Sequence, residues 1–168
     1  MTPDIAMCEL PPAHALVADL GQHVIGAGYQ QTLAPWAAAQ LVGNFYDPWT
    51  QNSNFLGISG DANRGDLLGV VARARVFFYP WSSAPTGVWL SPFTQAGVGW
   101  ATRDGTVRSG PIWAAGLSVG YSVLAFRSLL LGLGGGLQFH AAHIPGGGAA
   151  PSFARLYPHL DIQVGYAF

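Results

Sequence analysis

The last segment of this chain alternates without a break. Leu160, Ile162, Val164, Tyr166 and Phe168 fall on one side of an extended backbone, and His159, Asp161, Gln163, Gly165 and Ala167 on the other. Successive side chains of a strand point to opposite faces, so one face of this strand is apolar and the other small or polar. A helix would scatter both sets around its axis. The pattern calls for a sheet whose two sides meet different surroundings.

Composition indicates which surroundings those are. Charged residues make up only 9% of the 168, against roughly 25% in an average soluble domain. All basic residues are Arg, and Glu9 is the only glutamate; the net charge of -1 leaves no basic stripe for nucleic acid. Half of the chain is hydrophobic and 23 residues are Gly. A soluble domain covers its outside with polar groups. This one lacks them, so its outside is expected to face lipid. A bilayer core gives backbone N–H and C=O groups no partner, which leaves only helices and closed barrels. The longest uncharged stretches, 110–126 and 128–154, are interrupted by Gly, and the second by Pro145-Gly146-Gly147-Gly148. Their apolar period is two. A spanning helix needs about 20 apolar residues in a row, a tilted barrel strand about 9–11. The sequence predicts an all-β fold: a closed antiparallel up-and-down transmembrane β-barrel of eight strands.

Residues 1–13 read as an N-terminal extension and 14–168 as the barrel. The single cysteine, Cys8, excludes an internal disulfide. It reads as a free thiol on a tail; the alternative, a lipid anchor, is poorly served by Asp4-Ile5-Ala6-Met7. The extension lacks the basic start and apolar core of a signal peptide, so a chain whose export signal has been removed is expected. Strands are expected at about 36–46, 67–79, 87–101, 111–125, 129–143 and 153–168, from their alternation. Residues 14–33 read as one long bent strand or as a hairpin turning at Gly21-Gln22. Bacterial barrels have even strand counts, which favours the hairpin. Pro92 predicts a bulge or irregular pairing. The connections 80–86 and 126–128 sort as short periplasmic turns; 47–66, 102–110 and 144–152 sort as longer external loops.

The same alternation predicts what faces the lumen: Asp19, Gln40, Asn44, Arg73, Arg75, Gln95, Gln138, His140, His159, Asp161 and Gln163. An unpaired charge in a narrow interior is costly. A structural polar network is therefore expected, with Arg73 paired to Asp161 and Asp19 close by. Inward glycines either leave room for Trp89, Phe93, Phe77 and Tyr79 or leave a narrow water path. Outside, Trp100 and Trp113 are expected to bracket the polar loop 102–110. Phe78, Trp81, Phe126, Tyr166 and Phe168 are expected at the periplasmic boundary, where rings with polar tips are favoured.

Motifs for chemistry are sparse. His140 and His143 stand on opposite faces of a strand and do not suit a shared ion. Gln138-Phe139-His140-Ala141-Ala142-His143 loosely resembles the His-x-Ser segment of the lipid A 3-O-deacylases, but Ala142 stands where the nucleophile is required. Arg64-Gly65-Asp66 lies in the longest predicted external loop, where a three-residue match is weak. Nothing in the sequence calls for a cofactor or metal.

Val164-Gly165-Tyr166-Ala167-Phe168, Leu117-Ser118-Val119-Gly120-Tyr121 and the strand from Gly132 to Gly136 resemble the small outer-membrane barrel superfamily that includes OmpX, the OmpA transmembrane domain and OmpW-like proteins. The resemblance covers residues 65–168 well and 14–64 weakly. It implies residence in a Gram-negative outer membrane and contact with outer-membrane lipid. It also implies insertion by an assembly machinery that reads Leu160, Ile162, Val164, Tyr166 and Phe168. The expected role is non-enzymatic: structural, surface-interacting, or as a subunit alongside other envelope proteins. A narrow pore for water or small solutes and a lipid A-modifying enzyme are the alternatives.

Overall fold

The computed structural model describes residues 12–21, 24–46, 67–103, 105–145 and 153–168. Cys8, the Arg64-Gly65-Asp66 tripeptide and the whole of 47–66 lie outside the described residues. The strands are β1 (His14–Gly21), β2 (Val24–Ala34), β3 (Ala37–Tyr46), β4 (Leu68–Phe78), β5 (Gly87–Arg103), β6 (Thr106–Ala125), β7 (Leu129–Ala142) and β8 (Phe153–Ala167). Each pairs antiparallel with the next, and β8 returns to β1 to close a barrel. Of the two readings of 14–33, the hairpin is found: β1 and β2 meet at Gly21↔Val24.

The ladders fix the shape. Rungs from Leu16 pass through Tyr29, Leu41, Ala74, Thr94, Ala115 and Phe139 to Leu156. Leu16 itself pairs with Tyr166, ten residues beyond Leu156. A stagger of that size on eight strands tilts them by roughly 35–45° and leaves an interior just wide enough for side chains.

Two sequence expectations need correction. Residues 102–110 are not a loop. β5 and β6 stay paired up to Arg103↔Thr106, with Gly105 at φ 74 in the turn. β4 begins at Leu68 opposite Trp100, and β7 ends at Ala142 opposite Ile112, so this hairpin stands beyond its neighbours. Thr106, Val107, Arg108 and Ser109 are all exposed there, which removes the alternation that marks a half-buried strand. Second, the connections do not sort cleanly by length. The end opposite the termini carries the short joins at 22–23 and 104–105, while the termini end carries the longer turn between β4 and β5. At Pro92, of the two readings, the irregular pairing is found and not the bulge. The β4–β5 register is the same on both sides, at Arg75↔Phe93 and Phe78↔Leu90, and pairing only lapses between them, where Pro92 has no N–H to give. Among the described residues a register shift does occur on β2, between Thr32 and Ala34.

Side chains fill the interior in layers. Near the termini, Phe77, Tyr79, Trp89, Ala38 and Ala84 form one apolar cluster. Toward the other end, Val24, Tyr46, Leu67, Val71, Ala101, Ile112, Ala142 and Ile144 form another. Trp89 is 1% exposed, and Gly120 and Gly134 make room for it: a Cβ on either would stand 2.3 Å from its indole ring. Gly134→Ala should therefore destabilise the folded protein by about 1–3 kcal/mol through overpacking. Gly43→Ala, where an added Cβ meets nothing within 4 Å, should be neutral. Urea unfolding in detergent, followed by tryptophan fluorescence, separates the two; equal midpoints would contradict the packing described.

Candidate functional site

Between the two apolar layers lies the polar network. β4 places Arg73 and Arg75 two residues apart, so both point inward. Each is at most 3% exposed. Their counter-charges come from the closing seam: Asp19 on β1 and Asp161 on β8, both fully buried. Arg73 Nη1 donates to Asp19 Oδ2 at 2.7 Å, while its Nε and Nη2 both donate to Gln95 Oε1 at 3.0 Å. Arg75 grips Asp161 with two parallel bonds, Nη1 to Oδ1 at 2.9 Å and Nη2 to Oδ2 at 3.0 Å. Its Nε donates to Ser91 Oγ at 3.0 Å and its Nη2 to Ser118 Oγ at 2.9 Å. His159 Nε2 lies 2.9 Å from Asp161 Oδ1.

The Arg73–Asp161 ion pair read in the sequence is present, with Asp19 beside it, and Arg75 adds a second pairing. Arg73 and Asp161 are 3.7 Å apart, a secondary contact; Asp19 is the primary partner of Arg73, and Arg75 that of Asp161. The stagger sets this, because it slides β8 and β1 relative to β4 by an amount no single strand encodes. Aromatic faces complete the cage. The Arg75 guanidinium carbon lies 4.5 Å from the Phe77 ring centroid and 5.5 Å from that of Trp89; that of Arg73 lies 5.2 Å from Phe93. Phe93 in turn packs on His159 at 4.6 Å.

The remaining lumen residues sit above and below. Gln40 Nε2 donates to Gln30 Oε1 at 3.2 Å and to Gln163 Oε1 at 3.3 Å. Gln30 was missed from sequence, although its place opposite Gln40 on β2 could have indicated it. Asn44, Gln95 and Gln138 are buried and inward. His140 meets Tyr46, with Nδ1 3.3 Å from the hydroxyl and the rings edge to face at 5.0 Å. His143 lies past the end of β7 and is exposed, so it does not join His140. Tyr79, just past β4, has its hydroxyl pushed up to about 12 by burial. Among the described residues no group of three or more His, Cys, Asp or Glu could hold a metal ion.

Chemically, the arrangement holds two cations against two anions at contact distance. Ser91 and Ser118 accept from a guanidinium, the reverse of what activates a hydroxyl nucleophile, which needs a base to take its proton.

On the outside, Trp81 and Phe126 project at the termini end, 83% and 92% exposed. Phe78, Tyr166 and Phe168 are exposed at that end too, as are Trp36, stacked on Phe78 at 6.2 Å, and Tyr29, bonded to His14. The sequence reading missed Trp36 and Tyr29. At the other end Trp113 is exposed and packs on Phe139 at 5.4 Å. It pairs with Ala96, four residues before Trp100, so the two tryptophans do not bracket one loop. On β8, Ile162, Val164 and Tyr166 are exposed and Leu160 is half-buried; Phe168, just past its end, is exposed too.

No family model matches the chain, and neither does any curated protein or solved structure.

The network predicts a sharp asymmetry. Asp161→Asn leaves Arg75 buried without its counter-charge and should cost about 3–5 kcal/mol. Replacing both partners, Arg75→Met with Asp161→Leu, should recover most of that loss. Denaturant midpoints of the detergent-folded variants give the comparison; a single variant as stable as the parent would contradict the ion pairing.

Proposed function

We propose that this chain is an integral outer-membrane β-barrel of the Gram-negative type, with a plugged lumen and a non-enzymatic role. One observation carries the reading: polarity is inverted. Arg73, Arg75, Asp19 and Asp161 are inside, while Leu16, Leu33, Leu41 and Phe45 are 58–64% exposed. Water would not support so broad an apolar wall, whereas lipid demands one. Closure supports the same reading, because a barrel leaves no strand edge unpaired in a medium that offers no hydrogen bonds. The even strand count and the tilt agree with it.

Outer-membrane lipid is then the partner of the whole wall. The outward edge of β8, Leu160 to Phe168, is the surface for an assembly machinery. The β5–β6 hairpin, standing beyond its neighbours, is suited to contact with other envelope proteins. The two apolar layers with an ion-paired network between them favour a plug over a pore. The enzyme alternative gains no support, since Ala142 leaves it without a nucleophile.

Refolding tests the reading. In detergent the protein should gain strand structure and migrate faster on an unheated gel than after boiling; in plain buffer it should aggregate. Planar bilayers containing it should show no discrete openings. A monodisperse folded chain in buffer without amphiphile sinks the membrane reading, and reproducible single-channel steps sink the plug.

A further inference from the structure

Closure covers only part of the last strand. The β1–β8 ladder stops at Asp19↔Gln163, and β1 itself ends at Gly21. β8 runs on to Phe153, and among the described residues its stretch from Phe153 to Asp161 pairs with β7 alone. Successive strand residues send their backbone groups to alternate sides. Phe168 exchanges bonds with His14 of β1, whereas Ala167 donates to Ser128, just before β7. The register on β7 is unbroken, so Leu156, Pro158 and Leu160 turn their backbone groups toward the open side. A Cβ on Gly21 would lie 3.4 Å from Leu160 O, as that direction requires.

Proline is tolerated on such an edge because it has no N–H to leave unpaired. Pro158 therefore marks an edge built without a neighbouring strand, and it leaves carbonyl acceptors in excess there. At about 3.3 Å per residue and a tilt of about 40°, Leu160 and Pro158 stand roughly 20 and 25 Å from Phe168 along the barrel axis, at the top of an apolar band about 25 Å tall. The side chains agree: Leu156 is exposed, as are Leu137 and Phe139 beside it on β7. Hydrocarbon gives backbone acceptors at that depth no partner.

We propose that this edge is a lateral binding site for a hydroxylated acyl chain from the leaflet opposite the termini end, a reading that rests on the membrane placement proposed above. The chain lies along Leu156 and Leu160. A hydroxyl at its head, where acyl region meets headgroup, donates to the carbonyls of Pro158 and Leu160. An unhydroxylated chain covers the same apolar surface and leaves the acceptors unmet. A partner strand fits less well, because its ladder breaks at Pro158.

Two probes that differ by one hydroxyl test the site: a 3-hydroxytetradecanoyl amide and its tetradecanoyl twin. Each is titrated into isotope-labelled protein folded in detergent micelles, with backbone amide NMR shifts as the readout. The hydroxylated probe should shift Leu20, Gly21, Leu156 and Leu160 saturably, and bind severalfold more tightly than the twin. Leu20→Trp, on the wall beside this edge, should weaken its binding; Leu41→Trp, on the wall at β3, should not. Equal binding of the two probes, shifts spread around the whole wall, or a Leu20→Trp protein that binds as the parent does overturns the site. A chain that folds in buffer without amphiphile sinks the membrane reading and the site with it. One that folds only in micelles and takes both probes alike sinks the site alone.

Discussion

Two guanidinium groups inside an eight-stranded wall need counter-charges, and β4 cannot take them from its neighbours. Arg73 finds Asp19 across 54 residues of chain, and Arg75 finds Asp161 across 86. Both acids sit on the strands that close the barrel. The ladder at that seam is short, running on β1 from Ala15 to Asp19 with a flanking pair of bonds between His14 and Phe168. Arg73 touches acids from both sides of it, at 2.7 Å and 3.7 Å. The ion pairs therefore tie the far wall to the closing seam. They exist only when the barrel is shut, because β4 meets β1 and β8 only across the lumen. An open sheet would leave four charges without partners, and a buried charge without its partner is among the most costly features a fold can contain.

The aromatic residues follow from the same requirement. A buried guanidinium offers flat faces as well as N–H groups, and Phe77, Trp89 and Phe93 lie against them. Those rings are too large for a narrow barrel unless the facing strands give way. β6 and β7 do so with Gly116, Gly120 and Gly134, each of which would place a Cβ within 2.6 Å of a ring atom. Glycine in a strand ordinarily weakens it. Here it creates the volume that lets aromatic and cation share one layer: Gly134 of β7, with Gly120 of β6, is the packing complement of Trp89 on β5.

The inside and outside faces were legible in the sequence because alternation is local: each strand states its two faces without reference to any other. Every lumen residue read that way is buried, from Asp19 to Gln163. The meeting of Arg73 with Asp161 and Asp19 was legible as well; that Arg75 is the closer partner of Asp161 was not. Arg73 and Asp161 look level when counted from strand ends, but tilt and stagger decide who meets whom, and the stagger is a sum over eight registers. The β5–β6 extension escaped for a related reason. Alternation marks a strand only where its two faces differ, and Thr106, Val107, Arg108 and Ser109 are all exposed. The turn at 126–128 was legible as a short one; the left-handed backbone of Phe126 and Arg127 was not, because neither residue type is suggested by turn chemistry there.

The low charge content has a further consequence once the faces are assigned. A water-soluble barrel of this size could put its charges outside at little cost and keep a hydrocarbon core. In this chain Asp19, Arg73, Arg75 and Asp161 face in, and Arg108 and Arg127 stand at the two ends. Apolar residues cover the wall between. A charge on the lipid face would be expensive at mid-depth and tolerable near the interfaces, so lipid on the proposed reading expels charge to two refuges, the lumen and the rims. The lumen admits it only in balanced pairs, and the rims admit it beside aromatics. Among the described side chains, two Arg stand against two Asp inside, and Arg127 stands beside Phe126 at the termini end; both conditions are obeyed, which no property of the barrel fold by itself would require.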